Sequence, residues 1–432
     1  MAPSPLTARR DLGEVEPASS RHNWARSAVE ATADAVFVGT ADGRVVALET
    51  ATDATSASDA APDAGERWRA RGEHSVVSMA ATDDALVVGE RGGDGLVRVL
   101  DAETGVARWT YATADDVGTA TKDSLFFRPY VVDLAVTGDR VVVAARRYER
   151  DGEDRAWRSV VLGFDRDGRL AWRRHVHASP IAVAAEGDRV AVAYNRCPNP
   201  EQDGLVLLDA HSGARVASWD PDTDGDRRAG DVAFAGDAVA VASHGDKRGY
   251  LIDFDGQTRW RLDLATERRV GDETVYAYPN HVCVADGTAV FVTGNTFAES
   301  TRDPDARHPD EHTAVGVSVD EGERLWTRDT GGFARAAVAT DSRRSCRPPS
   351  TSGSERPSAT ASTFSPPTRG TSKRRDSPVS RPPSPRAGAS SRWSKSRSST
   401  TTRASLAGRT DSARDRFDRS TPCQKRRPSP GY

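Results

Sequence analysis

The sequence predicts an all-β fold, a β-propeller of four-stranded antiparallel blades. Three observations predict it. A unit of apolar runs and tight turns recurs six times, each copy closing on a tryptophan. Gly/Asp pairs separate the runs, where short hairpins require positive φ. Helical periodicity is absent from the body of the chain.

The units follow in order. The first reads VEATADAVFVGTADGRVVALE…GERW (29–68), the second VVSMAATDDALVVGE…GLVRVLDAETGVARW (76–109). The third joins DLAVTGDRVVVAARR to SVVLGFDRDGRLAWRR (133–174), and the fourth AVAAEGDRVAVAY to GLVLLDAHSGARVASW (182–219). The fifth joins DVAFAGDAVAVAS to GYLIDFDGQTRW (231–260), and the sixth VCVADGTAVFVTG to TAVGVSVDEGERLW (282–326). Their closing residues are Trp68, Trp109, Trp172, Trp219, Trp260 and Trp326. Short Val/Ala/Leu runs suit strands, and neither face of such a sheet can stay wet. Stacking the sheets radially buries both. A seventh unit begins at Phe333-Ala-Arg-Ala-Ala-Val-Ala-Thr340, which reads as an inner strand.

Leu100-Asp101-Ala102-Glu103-Thr104-Gly105 before Trp109, and Leu208-Asp209-Ala210-His211-Ser212-Gly213 before Trp219, carry a resemblance. They resemble the quinoprotein-like (pyrroloquinoline-quinone-type) propeller repeat: an apolar strand, Asp-Ala-x-(Thr/Ser)-Gly, then a strand with Trp. The resemblance covers about residues 29–340 and implies that each Trp packs between blades. It also implies an intact form of eight blades.

After Asp341 the chain turns Ser/Arg/Pro/Thr-rich. Residues 1–343 carry 40 Lys/Arg and 58 Asp/Glu, a net of −18; residues 344–432 carry 20 and 5, a net of +15, and the sum is −3. The tail is too poor in apolar residues to offset its chain entropy. The expected organisation is a disordered N-terminus (1–19), a propeller (20–343) and a disordered basic tail (344–432). The tail reads either as a genuine phosphorylatable segment or as the product of a frame shift. A shift removes about two blades, and His22-Asn23-Trp24-Ala25 then reads as the strand that completes the last one.

Composition narrows the function. No window approaches the roughly 20 apolar residues of a membrane helix, and Met1–Trp24 has no apolar core of a secretory signal. Cys197, Cys283, Cys346 and Cys423 are too few for a disulfide framework, so a reduced, cytoplasmic protein is expected. Abundant Asp with scarce Lys is the profile of a salt-adapted, archaeal protein. The acidic body repels phosphate, so no nucleic-acid partner is expected for it.

Elaboration is expected on one face. The second-to-third-strand loops there are read as Arg147–Trp157, Asn195–Asp203 and Asn295–His312, the long connectors as Thr113–Tyr130 and Ala265–Asn280. Candidate binding residues on it are Arg128, Tyr130, Arg147, Tyr148, Tyr194, Asn195, Arg196, Tyr276, Tyr278, Asn280, His281 and Asn295, joined by Phe126, Phe127 and Arg146. Aromatics with Arg on an acidic protein suit a protein partner or a small anionic or planar ligand; alternatively they pack the loops together. His308 and His312 are spaced for zinc, but Pro309 breaks the helix that spacing requires, and a solvated loop is expected. Asp303, Asp305, Asp310 and Glu311 lack the glycine-turned loop of a calcium site. No base adjoins Cys197 or Cys283 to mark a nucleophile.

Three functions remain. The first is a non-catalytic scaffold binding through the elaborated face, with no cofactor. The second is a quinoprotein dehydrogenase using pyrroloquinoline quinone with calcium, as the resemblance implies, although this chain has no vicinal cysteines. The third is a hydrolase or lyase with His281 or His177 as base.

Overall fold

The computed structural model describes residues 12, 27–49, 65–122, 124, 126–152, 154–298, 305–334, 337–338 and 362–363. All lie in the first of two units, Met1–Arg369; the second, Gly370–Tyr432, is outside the described residues. So are His22 to Trp24 and the proposed tail apart from one residue pair.

Six antiparallel blades follow in chain order. Blade one is β1 (Ala28–Ala31), β2 (Ala35–Gly39), β3 (Arg44–Glu49) and β4 (Glu66–Arg71). Blade two is β5 (Ser75–Ala81), β6 (Ala85–Arg91), β7 (Leu96–Asp101) and β8 (Ala107–Ala112); a one-turn helix α1 (Ala114–Val117) follows. Blade three is β9 (Tyr130–Thr137), β10 (Arg140–Asp151), β11 (Asp154–Asp165) and β12 (Leu170–Val176). Blade four is β13 (Ser179–Glu186), β14 (Arg189–Arg196), β15 (Leu205–Asp209) and β16 (Arg215–Trp219). Blade five is β17 (Ala229–Phe234), β18 (Ala238–Ser243), β19 (Arg248–Asp253) and β20 (Thr258–Asp263). Blade six adds a short edge strand, β21 (Arg268–Val270), to β22 (Glu273–Ala285), β23 (Thr288–Ala298), β24 (Thr313–Ser318) and β25 (Arg324–Asp329). Each inner strand packs on the next, β1 on β5, β5 on β9, and so on to β17 on β22. One bridge, Arg91 to Tyr130, joins blades two and three into a single sheet.

The closing tryptophans stand on the fourth strands, and five pin their blade to the next. The indole of Trp68 donates to Ala102 O at 2.9 Å, Trp109 to Arg166 O at 3.0 Å, Trp172 to Ala210 O at 2.8 Å and Trp260 to Val319 O at 2.7 Å. Trp219 instead donates to the Thr258 hydroxyl at 3.0 Å. The turn that receives the ring is shaped by its own aspartate. Asp101 Oδ1 accepts from the Thr104 amide at 2.9 Å and hydroxyl at 2.8 Å, leaving Gly105 at φ 72°. A Cβ on Gly105 would stand 2.5 Å from the Trp68 ring, so this glycine meets two demands at once.

Polar groups tie the blades nearer the axis. Asp133 of β9 accepts from its neighbour's Leu134 amide at 2.9 Å and from Val183 of blade four at 2.7 Å. Asp231 of β17 accepts from Val232 at 2.8 Å and from Val282 of blade six at 2.9 Å. Glu30 of β1 accepts from the Ala81 backbone of blade two. Burial pushes the Glu30 and Asp133 carboxyls up to about 7, and for Asp133 the nearby Asp231 and Glu30 charges add to the effect. Between blades one and two, Glu90 is fully buried and pairs with Arg98 at 2.7 Å.

Two expectations are corrected. Residues Arg147–Trp157 are not a loop. Strands β10 and β11 run on as a paired hairpin, Tyr148 opposite Trp157 and Asp151 opposite Asp154. Likewise β22 begins at Glu273, within the expected connector, and β23 runs past Asn295. Their charged residues resemble loop composition, but cross-strand aromatic pairs stabilise a ribbon beyond the core. The seventh unit was expected to give an inner strand over 333–340, with nothing after Arg343 joining the sheets in any ordered way. Instead β26 (Ala337–Val338) pairs in parallel with β27 (Ser362–Thr363).

Candidate binding face

At one end of the blades, the last residues of the second strands meet the first residues of the inner strands. This register brings cations and tyrosines together. Arg91 ends β6, Arg146 lies in β10, Asn195 and Arg196 end β14, and His244 follows β18. The guanidinium of Arg91 lies 4.6 Å and that of Arg146 5.3 Å from the centre of the Tyr130 ring. Arg146 also donates to the Ser179 hydroxyl at the start of blade four. Ser179 is opposite Arg196, and Arg196 forms an isolated bridge with Arg227. Arg227 in turn lies 4.5 Å from the centre of the Tyr278 ring.

Charge pairing along this arc is uneven. Arg196 reaches Asp226 at 2.5 Å. Among the described residues, Arg146 and Arg227 have no carboxylate within ion-pair distance. Burial lowers the pKa of both guanidiniums; Tyr130 partly offsets this for Arg146, and Tyr278, Tyr276 and Asp226 do so for Arg227.

The expected candidates separate into those on this arc and those committed to packing. Tyr130, Asn195, Arg196, Tyr278, Asn280 and His281 belong to the arc. Asn195 Oδ1 accepts from His244 Nδ1 at 3.1 Å, and the Tyr278 ring centre is 4.9 Å from that of His244. Asn280 packs against Gly294. His281 donates from Nε2 to Ala334 O at 3.2 Å, and its Nδ1 is 3.6 Å from Asp231. Tyr276 stacks with Tyr278 and Phe297, and Lys247 lies 4.8 Å from its ring centre.

The others are engaged in local packing or hydrogen bonds away from the arc. Tyr194 is 2 % exposed within a blade-three/blade-four core, and burial raises its pKa. Arg147 is 4 % exposed; it donates to Val117 O at 2.8 Å and pairs with Glu149. Tyr148 is the hub of Phe126, Phe127 and Trp157, at 5.2–5.7 Å between ring centres. Arg128 is half-buried on the connector before β9. Asn295 accepts from His312 Nε2 at 2.6 Å.

The groups able to perform chemistry are held quiet. His308 is buried; its Nδ1 accepts from the Asp310 amide at 3.0 Å and its Nε2 donates to Thr266 O at 2.9 Å. Both ring nitrogens are engaged, so His308 has no lone pair for zinc, and its spacing from His312 does not make a metal site. Asp303 lies outside the described residues. Burial pushes the Cys197 and Cys283 thiols up to about 12, leaving no thiolate at neutral pH. Burial, with Arg227 nearby, drops His244 to about 3, so it is neutral. His177 is exposed beside β12. Arg91, Arg227 and His244 were not singled out from sequence, yet they occupy second-strand ends and connector positions that the repeat aligns with Arg146 and Arg196.

Fold and pinned turns together define a β-propeller of repeated four-stranded blades. A repeat-family model of this type, described as outer membrane protein assembly factor BamB, matches residues 54–218. Among solved structures, BamB from Moraxella catarrhalis is similar at 14% identity, covering 68% of this chain and 79% of that one, with a TM-score of 0.34. A europium-containing methanol dehydrogenase is similar at 11% identity, with 71% of each chain covered and a TM-score of 0.46. The quinohemoprotein alcohol dehydrogenase from Comamonas testosteroni is similar at 12% identity, covering 73% of this chain and 69% of that one, with a TM-score of 0.42. No curated protein matches this chain.

Proposed function

We propose that the protein is a non-catalytic repeat scaffold that binds an anionic partner through the arginine-bearing face. One contrast carries this reading. On that face the Cys197 thiol, His244 and His308 are buried in inert protonation states or fully engaged, whereas Arg146 and Arg227 are desolvated with no carboxylate within ion-pair distance among the described residues. A desolvated cation lacking its counter-charge is poised to gain from an incoming anion. The described residues do not fit a quinone held beside calcium. Among the described residues no group of three or more His, Cys, Asp or Glu side chains is placed to hold a metal ion, and Asp133 and Asp231 each spend one oxygen on the following residue's amide and the other on an amide of the next blade. No helix among the described residues is long and apolar enough to cross a membrane.

Two measurements on the full chain test the reading. Dye reduction with pyrroloquinoline quinone, calcium and simple alcohols is expected to stay at background. A panel of acidic peptides and polycarboxylates is expected to raise the thermal midpoint through at least one member. Steady dye reduction overturns the proposal in favour of a dehydrogenase.

A further inference from the structure

The arc of cations has a geometry that narrows the class of anion, given that the scaffold reading holds. Arg146 contacts Ser179 from one side of blade four, and Arg227 bridges Arg196 from the other. Ser179 and Arg196 are cross-strand partners. Successive Cα partners across paired strands stand about 5 Å apart, so the two guanidiniums flank blade four at a separation on the order of 10–15 Å. Each rests on a tyrosine, Tyr130 or Tyr278, and so is held against a ring.

We propose that this face binds an extended polypeptide segment bearing two acidic side chains four residues apart, one carboxylate on Arg146 and the other on Arg227. An extended chain rises about 3.3 Å per residue and alternates faces, so two acids four residues apart share a face and stand roughly 13 Å apart, matching the stations. A small dicarboxylate is too short to reach both. A nucleic acid is disfavoured by charge: residues 1–343 carry a net of −18, and a duplex brings one phosphate charge per about 1.7 Å against that acidic body.

Fluorescence anisotropy with the full chain tests this. The probe is a labelled, end-blocked Gly/Ser peptide with two Glu four residues apart; the control has Gln at both positions. Expected results are saturable binding of the Glu peptide, at least fivefold weakening by either Arg146→Met or Arg227→Met, and weakening with added KCl. Arg259→Met, which removes an exposed pair with Asp237 on the opposite face, is expected to leave binding unchanged. Arg146→Lys keeps the charge and reports whether a loss in Arg146→Met reflects charge or misfolding, alongside the thermal midpoint of each variant. Equal binding of the Gln peptide, equal loss in Arg259→Met, or competition by succinate as strong as by the peptide overturns the inference. Absence of peptide binding without dye reduction sinks only this inference; dye reduction sinks the scaffold reading beneath it.

Discussion

Asp133 offers a direct test of how the blades are held near the axis. Its two oxygens accept from Leu134 and Val183 amides, which favour the ionised form, yet burial wins and its pKa rises to about 7. The sign follows from linkage. An unfolded aspartate titrates near 3.9, so between that value and 7 the folded chain holds a proton the unfolded chain has lost. Stability is therefore full at low pH and declines as pH rises to about 7. Three pH units at about 1.4 kcal/mol each set a ceiling of about 4 kcal/mol. Residual solvent contact at the half-buried carboxyl reduces this to about 2–3 kcal/mol. Asp133→Asn removes the ionisation but keeps only one of the two acceptor bonds, costing about 1 kcal/mol. Denaturant unfolding at pH 4.5 and pH 8 is the assay. The variant is expected to be less stable than the parent by about 1 kcal/mol at pH 4.5, and more stable by about 1–2 kcal/mol at pH 8. Parallel curves, or a variant weaker at both values, would refute the argument that burial outweighs the amide bonds.

Three further outcomes follow from the packing. Gly213→Ala places a Cβ 2.5 Å from the Trp172 ring at φ 67°, whereas Gly138→Ala has a comparable φ of 52° and nothing within 4 Å. Calorimetry is expected to show a loss of about 1 kcal/mol for Gly138→Ala and about 2–4 kcal/mol for Gly213→Ala; equal losses remove the tryptophan pin from the account. Arg98→Met leaves the buried Glu90 charge uncompensated and is expected to cost about 3–5 kcal/mol in urea unfolding, while Glu90→Leu combined with Arg98→Met costs much less. A double variant as weak as the single one contradicts this. Iodoacetamide labelling with peptide mapping at pH 8 is expected to leave Cys197 and Cys283 unmodified in the native chain and to modify them in urea, because both thiols are raised to about 12; rapid native labelling is the contrary result.

The blades are legible in the sequence because their constraints are local. An aspartate that folds back on its own turn, a glycine at positive φ and a tryptophan a few residues later lie within one hairpin, as Asp101, Gly105 and Trp109 do. Pairs between strands are less local. Arg98 stands among Leu96, Val97, Val99 and Leu100, a charge inside an apolar run that could have flagged a buried partner, but Glu90 on the neighbouring strand of the same blade is named only by strand register. The binding face is legible in part for the same reason. Asn195, Arg196 and Tyr278 were within reach of composition, whereas Tyr194 and Arg147 are indistinguishable from them in sequence and turn inward because strands alternate faces. Arg147 and Tyr148 fall on opposite sides of the ribbon, and only the pairing of β10 with β11 decides which one packs where.

Rigid blade spacing and partner recognition are then one problem. The Trp172 indole on Ala210 O and the Trp219 indole on Thr258 fix blade four between its neighbours at the outer radius. Asp133 on Val183 fixes it near the axis. With both radii set, the separation of Arg146 and Arg227 across blade four is a property of the scaffold and not of two flexible side chains. An incoming segment with matching carboxylates meets cations already desolvated and already stacked on Tyr130 and Tyr278, so little ordering remains to oppose binding. The same logic makes the face selective by length: acids one residue apart can satisfy one station only, and the second guanidinium stays without a partner.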